Sequence, residues 1–78
     1  MIIIKEKQFD EERALYNLTD AEVRDCVFAG PADGESALKE SRRVTVRNCA
    51  FSLRYPLWHA EGYTVIDSTM DELTRAPI

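Results

Sequence analysis

A fixed interval constrains this chain more than any other feature. Leu15, Leu38 and Leu57 are each followed eight residues later by a valine, Val23, Val46 and Val65. Four segments align on that frame: Ile4-Lys5-Glu6-Lys7-Gln8-Phe9, Val23-Arg24-Asp25-Cys26-Val27-Phe28, Val46-Arg47-Asn48-Cys49-Ala50-Phe51 and Val65-Ile66-Asp67-Ser68-Thr69-Met70. The last three share a β-branched residue, then Asn or Asp two places on, then a small residue, then a large apolar one. In the first, Glu6 and Lys7 stand at the polar and small positions. Segment starts are 19, 23 and 19 residues apart. From the large apolar residue to the next Leu or Ile, the distance is 6, 10, 6 and 8 residues, ending at Ile78. All variation in length therefore sits in one loop. Random insertions would scatter, whereas a coil with two tight corners and one free corner would confine them.

The repeat predicts a right-handed parallel β-helix, all-β, of about three to four coils. Val and the small residue lie three apart, which breaks the two-residue alternation of a strand. An Asn or Asp between them can take the left-handed conformation of a sharp bend. Val23 and Cys26 then both point inward, and Phe28 follows on the same face. Residues 21–24, 44–47 and 63–66 are expected as parallel strands, with Val23, Val46 and Val65 stacked. Phe28, Phe51 and Met70 form a second inward ladder; Asp25, Asn48 and Asp67 stack at the corner. The rival reading places short helices over Asp10–Leu18 and Ser36–Arg43, on helix-forming residues. It leaves the fixed interval unexplained. A leucine-rich repeat needs several leucines per unit, and this one has a single column.

The chain has 78 residues, room for one small domain. Its formal charge is −4 with both signs interspersed, so no basic stripe invites nucleic acid. The longest apolar run, Ile2-Ile3-Ile4, is too short for a membrane span or a secretory signal. A cytoplasmic location is the expectation, with no membrane partner. Cys26 and Cys49 have no metal-ligand spacing, and His59 is the only histidine. They read as adjacent, inward, reduced thiols; no cofactor is implied. Pro31-Ala32-Asp33-Gly34 is the clearest turn signal. The last coil, ending at Ile78, carries no capping residues, while Glu6 and Lys7 suit a cap at the first. Residues 1–78 are thus expected to be a partial β-helix domain, the N-terminal part of a longer protein. The alternative is self-association through the open C-terminal edge.

Three stretches, Phe9 to Tyr16, Phe28 to Glu40 and Phe51 to His59, resemble the start of a bacterial family of unknown function. The resemblance covers nearly the whole chain, and Gly30 to Glu40 is its most specific part. It implies a pectate-lyase-like parallel β-helix and members several times longer than this chain. It supplies no catalytic residues. Polysaccharide lyases and hydrolases share that fold, but fold does not fix function.

If the Leu column faces inward on a strand, its neighbours one and three places away face outward. One outward row is then Tyr16, Lys39 and Trp58. The next is Ala14, Ala37, Pro56 and Pro77, and the next Glu12, Glu35, Arg54 and Arg75. This arrangement suggests a shallow saccharide groove, with aromatic rings for sugar faces and charges for hydroxyls or uronate carboxylates. Its bland counterpart is a solvated face. Glu12 and Glu35 on adjacent coils would have the spacing of a retaining glycosidase, although a Glu35–Arg54 salt bridge is simpler. His59 could act as a base oriented by Glu40. The candidate ligand-binding residues are Glu12, Tyr16, Glu35, Lys39, Arg54, Trp58, His59 and Arg75, with a poly- or oligosaccharide as partner. The other function classes are an enzyme whose site lies beyond residue 78, acting on acidic polysaccharide, and a structural module without ligand. In the enzyme reading Arg54 or Arg75 neutralises a uronate and Lys39 or His59 removes a proton.

Overall fold

The structure, a computed structural model, describes residues 1–31 and 34–71. Eight short strands alternate between two sheets. Strands β1 (Ile2–Lys5), β3 (Thr19–Arg24), β5 (Arg42–Arg47) and β7 (Thr64–Ile66) form one; β2 (Gln8–Phe9), β4 (Val27–Phe28), β6 (Ala50–Phe51) and β8 (Thr69–Met70) form the other. Every pairing is parallel, in a right-handed parallel β-helix of about four coils. The register joins Ile4 to Val23, Val23 to Val46 and Val46 to Val65, as the fixed interval requires. The described residues contain no helix, so the helical rival is excluded.

The corner between the sheets has the predicted cause. Glu6, Asp25, Asn48 and Asp67 take φ of 56°, 54°, 52° and 48°. One left-handed residue turns the chain sharply and lets the residues on either side of it face the same interior. Their backbone groups bond from coil to coil. The Asp25 N–H donates to the Arg47 carbonyl at 3.1 Å, and the Asn48 N–H to that of Ile66 at 3.0 Å. Asn48 Nδ2 also donates to Asp25 Oδ1 at 2.7 Å, a side-chain bond between two of the residues expected to stack at this corner.

Inside, Phe9, Phe28 and Phe51 stack, with centroids 5.2 and 4.6 Å apart, and Met70 continues the column. Val23, Val44, Val46, Leu38 and Leu57 fill the rest of the core. Cys26 and Cys49 are free, buried and stacked, the Ala50 N–H donating to the Cys26 carbonyl at 3.0 Å. Ser68, the third member of that column, accepts the Cys49 N–H at 3.1 Å.

The third side of each coil corrects the expectation of a strand. Residues 12–17, 37–40 and 56–59 are turns. Leu15, Leu38 and Leu57 still stack, because the Leu15 N–H donates to the Ala37 carbonyl and the Leu38 N–H to that of Pro56, both at 2.7 Å. Two residues to either side, however, the backbone goes left-handed: Arg13, Ser36 and Tyr55 before the leucines, Asn17, Glu40 and His59 after them. These bends cancel the inward–outward alternation. Ala37 and Pro56, expected on an outer floor, are buried. Pro77, of the same row, lies outside the described residues.

Candidate functional site

The second loop is the longest of the repeat, and glycine lets it close against the first coil. The Gly34 N–H donates to the Asp10 carbonyl at 3.0 Å. A Cβ at Gly34 would overlap that oxygen and the Glu11 backbone. Glu35 and Ser36 follow directly and are thereby set on the turn side of the helix.

Among the described residues, six side chains from three coils line a half-open cavity of about 350 Å³ there. They are Arg13 from the first coil, Glu35, Ser36 and Lys39 from the second, and Tyr55 and Trp58 from the third. Arg13, Ser36 and Tyr55 are one left-handed column, with φ of 52°, 60° and 53°. The Arg13 N–H donates to the Glu35 carbonyl and the Ser36 N–H to that of Arg54, both at 2.9 Å, which fixes the coils in register beneath the cavity.

The aromatic wall is preassembled. Tyr55 meets Trp58 edge-to-face at 5.4 Å, and His59 stacks on Trp58 at 5.0 Å. On the first-coil side Arg13, itself half-exposed, lies 3.6 Å from Glu12, and its guanidinium sits 5.8 Å from the Tyr16 ring centre. Glu35 and Lys39, by contrast, make no side-chain hydrogen bond or ion pair among the described residues. Among the described residues the cavity thus offers an uncommitted carboxylate and an uncommitted ammonium, the Ser36 and Tyr55 hydroxyls, and an aromatic face. Such a set suits a polyhydroxylated ligand. No group of three or more His, Cys, Asp and Glu among the described residues could hold a metal ion.

Of the residues singled out in the sequence, Glu35, Lys39 and Trp58 come together here. Tyr16 stands in register with Lys39 and Trp58 but outside the cavity, its hydroxyl donating to Glu40 at 3.4 Å. Glu40 is therefore engaged by Tyr16, while His59 is exposed and stacked on Trp58. Glu12 is exposed beside Arg13, and Arg54 is half-buried; neither lines the cavity. Arg75 lies outside the described residues. The sequence reading passed over Arg13, Ser36 and Tyr55. All three stand two residues before the leucine column, so the repeat had already aligned them, but strand alternation assigned that column to the interior.

The model of the family described as "Protein of unknown function (DUF3737)" matches residues 2–78. No curated protein and no solved structure matches the chain.

Proposed function

We propose, on the premise that the chain belongs to the DUF3737 family of unknown function, that it is a saccharide-binding β-helix with its site in the cavity beside Trp58. The observation that carries this reading is the pairing of the uncommitted Glu35 and Lys39 side chains with the Tyr55–Trp58 aromatic wall. A sugar presents an apolar ring face and a polar rim. The indole takes the face, Glu35 accepts from hydroxyls, and Lys39 and Ser36 donate to oxygens. A ring contact and a charge-assisted hydrogen bond together give about 2–4 kcal/mol before ordering costs. Binding is therefore weak, with Kd on the order of 1 mM or above.

The test is Trp58→Ala against a panel of immobilised acidic and neutral oligosaccharides. Binding by the native chain should be lost in the variant, while stability changes by less than about 1 kcal/mol. Equal binding by both proteins, or none by the native chain to any sugar, refutes the reading.

A specific observation favours a second reading, an assembly module stacking end to end on copies of itself. Ile2 and Ile3 on β1 are 52% and 49% exposed, and Tyr63 and Val65 beside and within β7 are 44% and 37% exposed. Both strands are outermost in the described sheet and offer parallel edges. Light scattering over a concentration series decides it: growth in mass supports stacking, and a monomer throughout excludes it.

A further inference from the structure

The sequence points to a groove running along the coils, as a polymer would need, and the geometry of the cavity points elsewhere. We infer that the site takes the terminal residue of a saccharide end-on, gripping its hydroxyl rim between Glu35 and Lys39, and does not hold a chain lying along the helix axis. The inference rests on the saccharide reading above.

Three observations carry it. First, the small-residue floor on which a polymer would lie does not exist: Ala37 and Pro56 are buried. Second, the cavity is walled at the first coil. Arg13 lies 3.6 Å from Glu12 and beside the Tyr16 ring, and the Tyr16 hydroxyl reaches Glu40 of the second coil at 3.4 Å. The aromatic row therefore closes the site instead of continuing it, because Tyr16 is engaged and outside the lining. Third, the charged lining groups without an ion pair among the described residues are one carboxylate and one ammonium on the same coil, four residues apart in the turn and not bonded to each other. An acceptor and a donor on one coil can serve two hydroxyls of a single ring: one donates to Glu35, the other accepts from Lys39. A chain along the axis would need the same pair repeated on each coil. The corresponding residues of the first coil, Glu12 and Tyr16, are committed to Arg13 and Glu40.

The experiment is a length series measured on the full chain. Mono-, di-, tetra- and hexasaccharides of glucose and of galacturonic acid are titrated, each also with its non-reducing terminal hydroxyls blocked. End-on binding predicts affinity that levels off at the disaccharide and falls at least about tenfold when the recognised end is blocked. Glu35→Gln should weaken the mono- and hexasaccharide by the same factor, and Lys39→Met should do likewise from the other side. Affinity that climbs steadily to the hexasaccharide, or is indifferent to blocking, overturns the end-on inference and leaves the saccharide reading standing. Absence of binding to every member overturns both.

Discussion

Twelve described residues other than glycine take left-handed φ values, and all belong to four columns that recur from coil to coil. Their side chains range from Ser36 to Tyr55 and Arg43, so the bend is imposed by the coil and not selected by residue type. Each costs about 1 kcal/mol or more in isolation. The hydrogen bonds between stacked corners hold them in place. At one such corner Arg43 donates to Asp20 from Nε at 2.6 Å and from Nη2 at 3.2 Å. Those bonds hold the Asp20 carboxyl below its ordinary value. The pair is solvent-exposed, so its weight is small. Cys49 gives a sharper readout. Burial pushes its thiol up from 9.0 to about 11. The folded chain thus keeps neutral a thiol that the unfolded chain ionises. Stability from this group is complete below about pH 9 and is lost as pH rises to about 11. Denaturant midpoints of the native chain and Cys49→Ala should converge over that interval. Curves that stay parallel from pH 8 upward would mean that the thiol is not buried as described.

Among the elements, the two-residue strands β2, β4, β6 and β8 are too short to hold a sheet by their backbone bonds alone. What holds them is the stacked Phe9, Phe28 and Phe51 column, with rings 5.2 and 4.6 Å apart. Phe28 touches both neighbours and is fully buried. Phe28→Ala should cost about 3–5 kcal/mol. Val27→Ala, on the same strand but 41% exposed, should cost no more than about 0.5 kcal/mol. Chemical denaturation compares them, and similar losses would place Phe28 outside the core. This column is legible in the sequence because phenylalanine recurs at three coils and a large apolar residue, Met70, at the fourth, and stacking like on like is what a parallel coil does. The corner Asp25, Asn48 and Asp67 were legible for the same reason. The third side was only half so. Its leucines repeat, but their flanking left-handed residues are Arg13, Ser36 and Tyr55 in one column and Asn17, Glu40 and His59 in the other. No shared chemistry announces those bends, so strand alternation was extended across them and put Ala37 and Pro56 on the surface.

For the whole molecule, repetition supplies the scaffold and departures from it supply the candidate site. Where the columns are uniform, in the valines and phenylalanines, they are core. Where one column changes character from coil to coil, as from Tyr16 to Lys39 to Trp58, the side chains lie on the turn side, and two of the three line the cavity. The functional claim stands on that cavity, and Trp58 is the only tryptophan in the chain. Its fluorescence therefore reports from the cavity wall without any label. The direct test is a titration of the native chain with glucose and galacturonic-acid disaccharides, followed through the Trp58 emission. A saturable change in intensity or wavelength, abolished in the Glu35→Gln, Lys39→Met double variant, is the predicted result. Emission that stays constant up to a few hundred millimolar, past the roughly 1–30 mM that about 2–4 kcal/mol implies, would contradict saccharide binding at this site.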